Sequence, residues 1–208
     1  QHPNIVAAHD FETHGERIYL AMQLIKGEEL ESLIQDSGPI SESMGWALAR
    51  QVAAGLAHAQ ELGIVHRDIK PATPLLTKPP AGFAMAENVP LVKITDFGLA
   101  KLAVEQGGKT RLTVVGTAMG TPFYMAPEQV SDSDIDHRAD IYALGVSMFH
   151  MLTGMPPYQG MTIGQIVVAK VTGDSSWLDD LTTHCSVESM RLLKLMVASD
   201  PAERIPDY

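Results

Sequence analysis

The stretch His66-Arg67-Asp68-Ile69-Lys70-Pro71-Ala72-Thr73 decides how the rest of this 208-residue chain is read. A carboxylate flanked by an arginine and a lysine puts a proton acceptor and two anion-binding cations within reach of one reacting centre. Two more short motifs follow in order, Asp96-Phe97-Gly98 and Ala126-Pro127-Glu128. Each alone is a weak signal, because a loop aspartate is usually just solvated. Three in register argue against coincidence.

With these motifs in this order, the chain resembles the eukaryotic-like serine/threonine protein kinases of bacteria, and the resemblance covers nearly all of it. It implies an α+β, protein-kinase-like fold with a mostly helical large lobe and a two-stranded remnant of the small lobe. Residues 1–24 would be that remnant, 25–29 the hinge, and 30–208 a large lobe short of its closing helix. The activity implied is transfer of the ATP γ-phosphoryl group to Ser/Thr hydroxyls of protein substrates, with Mg2+. The run His2-Pro3-Asn4-Ile5-Val6 resembles the link into the small lobe's fourth strand. On that reading the 208 residues carry no Gly-x-Gly-x-x-Gly loop and no Val-Ala-x-Lys lysine, and little or no catalysis is expected of them in isolation.

The resemblance assigns roles residue by residue. Asp68 would orient the substrate hydroxyl and accept its proton, Lys70 would offset charge on the transferring group, and Thr121 would stand beside both. Asp96 would ligate magnesium. Backbone groups near Gln23 and Ile25 would take the adenine edge, Glu29 the ribose hydroxyls, and Leu75 the floor under the ring. Arg67 would clamp a phosphorylated loop, with Lys101 as a second cation and Thr110, Thr113 and Thr117 as candidate phosphosites. Any one of those threonines is otherwise an ordinary solvated side chain. Asp140 would hold the catalytic loop's backbone, though an acid at a helix N-terminus also simply complements the dipole. Glu128 would pair with Arg204.

One position departs from the family's pattern. Thr73 stands where an asparagine is expected, five residues after Asp68, to hold a second magnesium and brace the loop. Threonine offers a neutral oxygen on a shorter, branched side chain, and Pro74 restricts it toward extended backbone. Weakened metal binding is the expectation. This feature supports an alternative of another class, a pseudokinase or protein-interaction module that presents a surface and transfers nothing.

Bulk properties set bounds. Apolar residues make up 45% of the chain, enough for a sizeable core. Twenty-five acidic against fifteen basic residues give a net charge of −10, which argues against nucleic acid as a partner. Cys185 is the sole cysteine, so no internal disulfide can form, and a reducing, cytoplasmic setting is the default expectation. No apolar run approaches the roughly eighteen residues of a spanning segment, so any membrane tether would lie elsewhere. Apolar surface left uncovered where a full small lobe would pack predicts self-association.

Periodicity fills in the rest. Strands are expected over 5–10 and 17–24 around the turn-prone Thr13-His14-Gly15-Glu16, and again over 75–77 and 91–94, joined by a surface insertion at 78–90. Helices are expected over 30–35, from a Ser41 cap to Leu62, over 137–152, 163–171 and 187–198. In the second of these Met44, Leu48, Val52, Leu56 and Ala59 make one apolar face, which reads as core. Phe97 reads as packing, and no zinc-type spacing links the eight histidines.

Overall fold

The computed structural model describes residues 1–15, 17–97, 122–131 and 134–208. Strands β1 (Ala8–His14) and β2 (Arg17–Met22) form an antiparallel hairpin whose last pair, His14 with Arg17, abuts Gly15 at φ 62°. The first strand therefore starts and ends later than the sequence suggests, because the turn is tight enough for pairing to run right up to it. Residues 2–7 do something else. They dock on the large lobe: Ile94 N donates to Asn4 O at 2.8 Å, Val6 N to Ile94 O at 3.0 Å, and the Asn4 amide to Val92 O at 3.0 Å.

A second sheet, of order β3-β4-β5, joins β3 (Gly27–Glu29), β4 (Pro74–Thr77) and β5 (Leu91–Ile94), all antiparallel. Strand β3 falls in the stretch the sequence assigns only to a hinge. Its existence depends on the partner it finds in Leu75–Thr77, and a Cβ at Gly27 would run into the Leu76 carbonyl. Pro74 opens β4, a position where its missing N–H is tolerated.

Helix α1 (Leu30–Ser37) runs to Gly38 at φ 77°, two residues beyond the expected stop. Helix α2 (Glu42–Glu61) is capped by Ser41, whose hydroxyl accepts from Met44 N at 3.4 Å. It buries Gly45, Leu48, Ala49, Val52, Gly55, Leu56 and Ala59. That stripe packs on α4 (Arg138–Thr153), after the short α3 (Pro127–Val130). Every residue of α4 from Ala139 to Leu152 is buried, so it is the core's central rod. Helix α5 (Ile163–Thr172), a 3-10 segment (Ser176–Thr183), α6 (Val187–Met196) and a last 3-10 turn (Pro201–Glu203) close around it. Burying side chains such as Leu48, Leu56, Ile94 and Leu193 stabilises the fold by about 1.5–3 kcal/mol each. No described helix is long and apolar enough to cross a membrane.

Candidate active site

The loop from α2 to β4 is fastened from below. The N–H groups of His66 and Arg67 donate to the two oxygens of Asp140, each at 2.7 Å, at the first turn of α4. Burial lifts the Asp140 carboxyl above the ordinary carboxylate range, and the two N–H bonds pull it back. His66 is itself buried. Its Nδ1 accepts from Asp68 N at 3.3 Å, which leaves Nε2 to donate to Thr95 O at 2.8 Å. The Phe97 ring meets His66 edge-on at 4.6 Å, the packing role expected of it.

Two residues here hold left-handed backbone without being glycine: Arg67 at φ 70° and Asp96 at φ 62°. Each such residue stores about 1–3 kcal/mol, tolerated only where the surroundings over-determine it. For Arg67 the surroundings are Asp140 on its N–H and Gln129, whose side-chain amide donates to Arg67 O at 2.9 Å.

Asp68 is exposed, with Lys70 Nζ 2.8 Å from its Oδ2. The Thr73 hydroxyl donates to Asp68 O at 2.9 Å. Thr95 Oγ1 lies 2.9 Å from Thr73 O and 3.1 Å from Asp96 Oδ2. The single Thr95 proton is shared between these two acceptors, so the two threonines bring the Asp68 backbone and the Asp96 side chain near one another without one unbroken chain of bonds. The Asp68 backbone and Asp96, 28 positions apart in sequence (96 − 68), thus lie near the end of the sheet where β4 begins and β5 stops. Thr73 is only 2% exposed, and its proton is engaged by the loop carbonyl.

On the hinge side, Gln23 N donates to Ala7 O at 2.8 Å, and among the described residues neither Gln23 O nor Ile25 N is taken by a partner. Glu29 is exposed at the end of β3, just before α1, and pairs across the sheet with the half-buried Leu75. Glu128 and Arg204 form a buried bidentate pair, Nη1 to Oε1 at 2.5 Å and Nη2 to Oε2 at 2.7 Å. Arg204 also donates to Ala198 O, Ser199 O and Arg138 O. Gly98, Lys101, Thr110, Thr113, Thr117 and Thr121 lie outside the described residues.

Residues 1–206 match the protein kinase domain family. The chain belongs to the protein kinase family. Similar proteins include the serine/threonine-protein kinases PknD and PknH of Mycobacterium tuberculosis. PknD is 35% identical over 203 residues, 97% of this chain and 28% of PknD; PknH is 34% identical over 173 residues, 83% of this chain and 25% of PknH. Among solved structures, Rad53 1-466 in complex with AMP-PNP superposes with a TM-score of 0.75 at 28% identity, covering 98% of this chain and 48% of that one. The kinase chain thus spans about a quarter of the mycobacterial relatives and about half of the Rad53 chain.

Several residues that build this kinase site escaped the sequence reading. Thr95 bridges Thr73 to Asp96, and Gln129 ties the Ala126-Pro127-Glu128 motif to Arg67 while its Oε1 accepts from Ala126 N at 2.9 Å. A Gln two residues after a Pro that opens a helix, three after the N-cap Ala126, is a capping signal, and could have been noticed. Lys170 is another omission. It shares the stripe of Ile163 and Ile166 in a helix that is otherwise apolar on that side.

Proposed function

We propose that the intact protein is a serine/threonine protein kinase and that these residues hold its phosphoryl-acceptor half. The observation that carries the reading is that Asp68, paired to Lys70, and Asp96 both neighbour the Thr73–Thr95 pair where β4 begins and β5 stops. The names of PknD and PknH, and the AMP-PNP held by Rad53, support a serine or threonine acceptor and an ATP donor.

In this reading Asp68 orients the substrate hydroxyl and takes its proton as the oxygen attacks the γ-phosphoryl group. The Lys70 ammonium beside it offsets negative charge at the reacting centre. Gln23 O and Ile25 N receive the adenine edge, Leu75 lies beneath the ring and Glu29 beside the ribose. Asp96 supplies an exposed carboxylate oxygen for a hard cation. No cluster of three acidic, histidine or cysteine ligands exists among the described residues, which suits magnesium held mostly by phosphates and water. When bound, magnesium offsets the charge of the phosphate oxygens. Thr73 acts as the loop brace, with its buried hydroxyl on Asp68 O. Glu128, Arg204 and Asp140 keep the loops in shape, while Arg67, Lys101, Thr113 and Thr117 are the regulatory candidates and Thr121 the companion of Asp68. A cytoplasmic setting and a self-associating apolar face belong to the same proposal; β1 and β2 expose Phe11, Tyr19, Leu20 and Met22.

The buried Thr73 hydroxyl favours a second reading, a protein-binding module with a weak metal site. Incubation of the intact protein with ATP, magnesium and myelin basic protein decides between them. Transfer that Asp68→Asn lowers at least a thousandfold supports the kinase. No transfer, with no rise in melting temperature on adding Mg-ATP, supports the module.

A further inference from the structure

Helix α5 carries a lysine where its stripe calls for an apolar side chain. Lys170 is 1% exposed, and no carboxylate lies within ion-pair distance of it among the described residues. A buried cation with no carboxylate partner is unfavourable unless hydrogen bonds satisfy it. Its Nζ donates to Phe123 O at 2.9 Å and Met125 O at 2.8 Å, and lies 3.2 Å from the Tyr142 hydroxyl of α4. The rings of Tyr142 and Tyr158 stand 4.8 and 5.2 Å from it. Three protons thus meet three acceptors. Alternate carbonyls of one segment are captured by a single amine, and Tyr124 between them is held by its own hydroxyl, 2.8 Å from His150 Nδ1.

That segment leads directly into the site. Met125 precedes Ala126, whose N–H meets the Gln129 side chain, and the same side chain donates to Arg67 O beside Asp68. A continuous run of hydrogen bonds therefore joins α5 to the loop bearing the proposed proton acceptor. Burial depresses the Lys170 amine to about 7, with Arg204 adding to the effect and Glu128 opposing it. The neutral form still fits the geometry: two N–H groups reach the two carbonyls, and the lone pair can accept from Tyr142 OH.

We propose that Lys170 is a positioning residue for the protein substrate, its amine fixing residues 123–125 against α4 and, through Gln129, setting their register to Asp68. This rests on the kinase reading above. The test is steady-state kinetics of the intact protein on myelin basic protein, paired with amide hydrogen exchange. Lys170→Met should raise KM for the protein substrate by about tenfold, the scale of one lost buried hydrogen bond. KM for ATP should change less than twofold, and exchange should quicken over residues 122–131. Lys170→Arg, which keeps the donors, should recover most of both effects. If Lys170→Met fails to fold, Tyr142→Phe removes one contact only and should move both readouts the same way by a smaller amount. A folded Lys170→Met with unchanged KM and exchange overturns the proposal, as does a rise in KM for ATP equal to that for protein. A wild-type protein that transfers no phosphate overturns the kinase reading instead, and exchange alone then tells whether Lys170 holds the segment.

Discussion

Thr73 shows how one side chain can serve half of a role. A hydroxyl has one proton to give, and in this loop it goes to Asp68 O, so the brace survives on a shorter side chain. An asparagine amide has donors and an acceptor on separate atoms, and can brace with one while turning its oxygen to a cation. Thr73→Asn is therefore expected to enlarge the magnesium-dependent rise in melting temperature seen with nucleotide, by about 2–4 °C for each kcal/mol of added binding in a chain of this size. An unchanged shift would show that position 73 does not limit the metal site. The threonine, its place after Asp68 and its conflict with the family's pattern were all legible in the sequence. The atom it bonds was not, because the side chain's direction is set by a carbonyl five residues back in a folded loop.

At the scale of elements, close approach rather than propensity decides which glycines matter. A Cβ on Gly145, in the middle of α4, would sit 2.7 Å from Val197 Cγ1 and 2.9 Å from Met196 Cβ, atoms tied to the end of α6. Gly145→Ala should destabilise the protein by about 1–3 kcal/mol through overpacking, despite alanine's better helix propensity. Gly164 in α5 has nothing within 4 Å of its would-be Cβ. There the same change should stabilise by up to about 1 kcal/mol. Urea unfolding of both variants checks the contrast, and equal effects of either sign would contradict this packing. Helices α2 and α4 were visible from their stripes and end signals, since period and capping are local. Strand β3 was not visible, because three residues of Gly-Glu-Glu become a strand only when Leu75–Thr77 offers them an edge.

At the scale of the molecule, charge is distributed in an uneven way. The surface is acidic overall, yet two cations are drawn into the interior near Tyr142: Arg204, paired with Glu128, and Lys170, which meets only neutral acceptors. Burial lowers the folded-state value of Lys170 to about 7 from the ordinary 10.5. Between these limits the unfolded chain keeps a proton that the folded one has released, so this group makes stability rise as pH climbs from about 7 toward 10, the full penalty standing below 7. Urea midpoints measured across that range should show a positive slope that shrinks in Lys170→Met. A slope identical in the two proteins would mean that Lys170 is not the group responsible.

By itself, the order of three short motifs determined the family, the large lobe's helices and the residues to suspect, because motif spacing and apolar period are written locally along the chain. Tertiary structure alone decided what those residues touch. That Thr95 meets the Thr73 carbonyl, that Gln129 steadies Arg67, and that a lysine in an apolar helix grips the approach to the site all depend on contacts between residues 22 to 62 positions apart. Such contacts are chosen by the geometry of the packed core, and nothing in the neighbouring residues encodes them.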